Sequence, residues 1–166
     1  MLFRSPLFRQ LQVQVAAEGD ALLRLRAALL ALVRWIAQNR QTLGHLLLDA
    51  AAGEAAAADF LASLDRRHPA LLLQLIGEAQ QQHRLGRADP AHHLLFLMSS
   101  MAVPALLFHL VGQRGLVPPR LLRTLDTLAI EPAAIEQRLD WALRGLADRK
   151  STRLNSSHTD ISRMPS

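Results

Sequence analysis

The chain has 166 residues and a formal charge of +5, enough for one domain, and a body of this size buries roughly 70% of its unfolded surface. Cys is absent, which excludes disulfides and thiolate metal sites and fits a reducing, cytoplasmic compartment. Leu and Ala dominate, aromatics reach only 4%, and no run of Val, Ile and Thr is present, so an all-α multi-helix bundle is expected. In chain order, Ser5-Pro6 predicts a first helix over Pro6 to Ala17, with Ser5 as cap and Pro6 at the first helical position. Gly19-Asp20 breaks it, and Asp20 can cap a second helix from Ala21 to Gln38. There Leu22, Leu25, Leu29, Leu32, Val33 and Ile36 recur at spacings of three and four, one face of a helix. A third helix is expected over Gln41 to Ala51, ending near Gly53, and a fourth over Glu54 to Arg66. His68-Pro69 predicts a break, because the residue before Pro is pushed out of helical geometry, and then a helix from Ala70 to Arg84.

The most informative stretch is Leu71 to Gly112. It predicts a stop at Gly86, a restart at Asp89-Pro90, and a long helix from Pro90 to Val111 without Asp, Glu, Lys or Arg. Val117-Pro118-Pro119 then forces a turn, a short helix spans Arg120 to Leu128, and Glu131-Pro132 opens a last helix ending near Ala147. From Arg149 the composition changes: five Ser, the only Lys and no helical period. Arg149, Lys150, Arg153 and Arg163 less Asp160 carry +3 of the charge. Residues 149–166 resemble translated adapter or vector sequence and are expected to be a disordered, non-native extension. Residues 1–148 form the helical domain.

A helix apolar all round must be covered by protein or lipid. Leu94 to Gly112 is nineteen uncharged residues, long enough to cross a bilayer. Ser99, Ser100, Pro104 and His109 interrupt it, no second span exists, and no basic asymmetry fixes an orientation. The reading is a buried core or dimer helix with no membrane; the alternative is a helical membrane-associated or structural protein.

Catalytic chemistry is not expected, since phosphate loops, nucleophile elbows and paired carboxylates are missing. His92 and His93 point about 100° apart on a helix and cannot chelate one ion, and Asp89 with His93 offers only two ligands, so no metal is expected. His45, His68 and His83 read as isolated, with His83 in the last turn of its helix, and Asp140 and Arg144 as an exposed i,i+4 pair. Arg residues are spread over every helix, which argues against a nucleic-acid surface.

Asp20–Ala50, the helix–Gly–Arg–Asp-Pro–apolar helix unit at Leu71–Gly112, and IEQRLDWALRGLA at Ile135–Ala147 together resemble the effector-binding and dimerisation domain of TetR-family transcriptional regulators. The resemblance covers nearly all of residues 1–148 in element order. Such regulators begin with a helix-turn-helix head, and nothing here matches one; Ser5–Ala17 resembles the family's linking helix. DNA contact is therefore expected only through an N-terminal head this sequence lacks. The resemblance implies a small hydrophobic effector, no cofactor, and a pocket to which Trp35, Gln74, Met98, Met101 and His109 are assigned. It also implies a homodimer, with Leu106, Leu110, Leu139, Trp141 and Leu143 as the contact. Residue by residue, a Met or Trp at helical spacing is more often ordinary core.

Overall fold

Apolar side chains at helical spacing, punctuated by Asp, Gly and Pro, produce eight helices and no strand among the described residues, 6–65 and 68–147 of a computed structural model. They are α1 (Pro6–Ala16), α2 (Ala21–Gln38), α3 (Arg40–Ala51), α4 (Ala55–Asp65), α5 (His68–Gln81), α6 (Pro90–Gln113), α7 (Pro119–Ile130) and α8 (Pro132–Leu146). The bundle is built on two hubs. Helix α2 packs against α1, α3, α5, α6 and α8, while α6 packs against α2, α3, α5, α7 and α8. The expected α2 face is buried at Leu25, Leu29, Leu32, Val33 and Ile36, joined by Ala21, Ala28 and Leu30. Each fully buried Leu of this kind contributes about 1.5–3 kcal/mol of apolar transfer energy.

Both Asp caps form. Asp20 accepts from the Leu22 and Leu23 amides at 2.8 and 3.3 Å, and Asp89 accepts from the Ala91 amide at 2.9 Å, with Pro90 in the first turn. The Ser5 cap and the segment from 149 onward lie outside the described residues.

Three local expectations need correction. Helix α5 starts at His68 rather than Ala70, because Pro69 then falls in the first turn, where its missing N–H costs nothing. It ends at Gln81, and the left-handed residue that stops it is His83, at φ +56°, not Gly86. The His83 amide donates to the Gln80 carbonyl at 3.0 Å and the Arg84 amide to the Ala79 carbonyl at 2.8 Å, the paired bonds of a Schellman ending. Gly86 serves differently. Its amide donates to the Leu146 carbonyl at 2.8 Å, and a Cβ there would sit 3.4 Å from that oxygen. With the neighbouring Leu85–Ala147 bridge, the α5–α6 turn is thereby tied to the end of α8. Third, Asp140 reaches across to Arg26 of α2 at 2.8 Å instead of pairing with Arg144.

Further cations fasten the helices. Arg24 of α2 donates to the last carbonyls of α1, Gln14 and Val15, and to Glu78 of α5 at 2.6 Å. Arg138 donates to the Leu128 and Ala129 carbonyls, closing the end of α7. Each replaces water at orphan C=O groups of a helix terminus.

A candidate ligand cavity

Protein interiors close-pack, and few voids exceed a water molecule. Here a pocket of about 310 Å³, partly open to solvent, reaches into the bundle, and every helix from α1 to α6 contributes to its wall. Leu7 comes from α1, Leu32, Trp35 and Ile36 from α2, Leu43 and Leu47 from α3, and Leu61 from α4. Pro69 and Leu72 of α5, with Leu94, Met98 and Leu106 of α6, complete it. All twelve side chains are apolar. The volume equals that of about ten liquid waters, yet water needs two to four polar partners, and the Trp35 indole N–H is the only strong side-chain hydrogen-bonding group in this lining. Such a space is stabilised by an apolar guest, which restores the dispersion contacts its walls lack.

Trp35 is the hinge point of the surroundings. Its ring also lines a groove with Gln10, Gln14, Arg34 and Gln38 along α1 and α2, and a second groove with Asn39, Thr42, Asp49, Glu54 and Phe60 between α3 and α4. Leu43 is shared by the cavity and the second groove, and Leu7 by the cavity and the first.

Of the five residues assigned to the pocket from the sequence, the structure brings Trp35 and Met98 to the wall. Met101 is fully buried in the core beside it, outside the lining. Gln74 lies on the exposed side of α5 and donates to Glu78 at 3.0 Å. His109 stands 3.1 Å from Gln113 and close to Gly44 of α3. Burial, and then the positive charge of Arg40, hold its imidazole below the usual histidine range.

Of the residues assigned to the dimer contact, Leu106 lines the cavity, and Leu139 and Leu143 are core, so all three are occupied within one subunit. Leu110 packs toward Gly44, where a Cβ would lie 3.1 Å from its Cδ2. Trp141 is open, at 58% exposure.

Sequence reasoning missed the other ten wall residues as pocket lining, Leu94, Leu32, Leu72 and Pro69 among them. The available signal was the spacing Leu94, Met98, Ala102, Leu106 on α6, a single stripe in steps of four. What no spacing reveals is that the facing helices stand back from it.

A second face of α6, beside the cavity-lining one, is uncovered. Leu95, Phe96, Val103 and Leu107 are exposed, and only 22% of the helix's most apolar window is buried. Among the described residues, no group of three or more His, Asp or Glu is placed to hold a metal ion. His93, the one buried polar side chain among the described residues, lies 3.2 Å from Gln80 of α5. Comparison of the chain with protein-family models found no match, and neither did comparison with curated proteins or with solved structures.

Proposed function

We propose that residues 1–148 form a ligand-sensing, homodimerising regulatory domain resembling that of TetR-type transcriptional regulators. The observation that carries this reading is the cavity: a predominantly apolar space of about 310 Å³ walled by six helices of the bundle. Its walls come from α1 to α6, whereas α7 and α8 lie outside it, against α6. Helix α6 thus lines a ligand seat and also presents Leu95, Phe96, Val103 and Leu107 to solvent. A second copy of the chain would cover that outer face, with Trp141 of α8 as a further anchor. Ligand occupancy would stabilise one arrangement of α6 and so one geometry of the pair, a population shift in which the guest's differential affinity sets the size of the response. Operator contact falls to a DNA-binding unit other than these helices.

Light scattering coupled to size-exclusion chromatography, with and without decanol, tests both halves. A dimer is expected at micromolar protein, together with a raised melting temperature when the alcohol is present. A monomer at all concentrations removes the homodimer, and an unchanged melting temperature removes the ligand seat.

The same exposed face of α6 favours a second reading, a membrane-associated protein, because the helix is 24 residues long and apolar enough to cross a bilayer. Fractionation separates the two. Recovery only in detergent supports the membrane, and recovery in the soluble fraction supports the dimer.

A further inference from the structure

We infer that His93 is an acid-sensitive latch: a proton taken up at its Nδ1 releases the α5–α6 corner, residues 82–89, and with it the corner's hold on the end of α8. The device stands whether or not the cavity takes a guest.

The latch is built around one side-chain amide. Gln80 Nε2 lies 3.0 Å from the Gly86 carbonyl oxygen, 2.7 Å from that of Ala88 and 3.2 Å from His93 Nδ1. An amide nitrogen carries two hydrogens and accepts none, so it can serve acceptors and nothing else. The two carbonyls, being nearer, take the hydrogens. They also fix the orientation of the amide, because Oε1 turned into that position would face both of them. Nδ1 fits beside this nitrogen while it bears no hydrogen. An imidazolium bears one on each ring nitrogen, and its Nδ1–H would point at a donor in a site where the residue is 6% exposed. Two responses remain, and both undo the corner. Gln80 can turn over and offer Oε1 to the cation, which takes its hydrogens off Gly86 and Ala88. Alternatively the ring swings out to water and gives up its place against α5.

The loss spreads because Gly86 is held from two sides. Its carbonyl is held by Gln80, and its amide donates to the Leu146 carbonyl at 2.8 Å, beside the Leu85–Ala147 bridge. Without the first bond, the second hangs on an untethered turn. The carboxylates of the neighbouring elements are committed elsewhere: Asp89 to the Ala91 amide, Glu78 of α5 to Arg24, Asp140 of α8 to Arg26, and Asp126 of α7 to Arg40 of α3. Of the cations, Arg84 is joined to Asp20, and Arg144 of α8 acts on Asp140. Burial, and then the charge of adjacent His92, disfavour the protonated ring. The open corner therefore binds the proton more tightly than the closed one, and opening gains ground as pH falls below about 6.5.

Hydrogen–deuterium exchange of the full chain, read at single amides by NMR and corrected for the intrinsic pH dependence of exchange, tests this. Protection of the Gly86 amide should fall about tenfold between about pH 7 and pH 5. The amide of buried Val33 in α2 should stay about tenfold or more better protected than Gly86 at both. Unchanged Gly86 protection would overturn the latch. Equal protection at Gly86 and Val33 would do so as well, since the event would then be global unfolding. His93→Asn, which keeps an uncharged acceptor near the Nδ1 position, should remove the acid response, and His92→Asn should keep it; the reverse pattern would overturn the assignment. Gln80→Ala takes away the wiring without touching the ring. In that variant Gly86 should be poorly protected at neutral pH already, with little further change in acid, and the His93 ring should titrate closer to the ordinary histidine value. A full acid response there would show that the Gln80 amide is not the element His93 acts on, and the latch would fall.

Discussion

Two histidines carry local roles that their residue type alone does not announce. His83 holds a left-handed backbone conformation, φ +56°, at the position where helices usually end in Gly. A Cβ in that conformation crowds the following carbonyl, so His83→Gly should raise stability by about 0.5–1 kcal/mol, read as a higher urea midpoint with an unchanged slope. Destabilisation by that substitution would mean that the imidazole makes a contact worth more than the strain. His93 is buried with its Nδ1 3.2 Å from the Gln80 amide nitrogen, which also donates to the Gly86 and Ala88 carbonyls at 3.0 and 2.7 Å. Burial, and secondarily the nearby His92, hold its pKa below the ordinary histidine value. The unfolded chain therefore binds more protons than the folded one at mildly acid pH. Stability is complete above about pH 6.5 and declines as pH falls below it. His109 shifts in the same direction, so His93→Gln should reduce the slope of stability between pH 7 and pH 5 without abolishing it. An unaltered slope would assign the effect to His109. Glu78 and Asp140, whose pKa values are lowered chiefly by side-chain hydrogen bonds, lose their contribution only in the more acid carboxylate range.

Helices were legible where a chemical signal is local, and illegible where it is shared between elements. Asp20 and Asp89 cap because a short acceptor before an apolar run can reach free amides whatever else surrounds it. The stop after α5 was placed at the glycine because glycine adopts left-handed geometry most cheaply. The chain instead uses His83, and keeps Gly86 for a close approach to Leu146 that only the folded α8 creates. Asp140 was paired with its i+4 neighbour for the same reason, while its actual partner, Arg26, is far away in sequence. Type and spacing alone mark Trp35 and Met98 as ordinary core, and only the family resemblance assigns them to a pocket, whereas Gln74 and His109, assigned as polar anchors, do not line the cavity. The start of α2 shows how such elements are stitched. Asp20 caps the helix and binds Arg84 at 2.7 Å, and Gln82 accepts from the Ala21 amide at 2.8 Å. Asp20→Ala should cost about 1–2 kcal/mol in urea unfolding, with most of the loss from the cap. A loss below a few tenths would mean that Gln82 and water satisfy the helix start unaided.

At the scale of the whole molecule, the cavity wall and the bare face of α6 are neighbouring parts of one helix surface. Val103 and Leu107 are one turn apart on that face, and neither is part of the buried core. Val103→Lys/Leu107→Lys should therefore convert the expected dimer to a monomer with a melting temperature within a few degrees of the monomeric core's own. Charge buried at an apolar contact is expensive, whereas on an open surface it costs little. A double variant that remains dimeric would move the contact elsewhere, Trp141 being the next candidate.

The knot between the α5–α6 turn and the tip of α8 carries a consequence for how motion spreads. Because the Gly86 amide is held by the Leu146 carbonyl, the outer layer cannot peel away without unfastening the corner that follows the cavity floor. In hydrogen–deuterium exchange those two distant segments should open as one cooperative unit, and a guest that tightens the floor should slow both together.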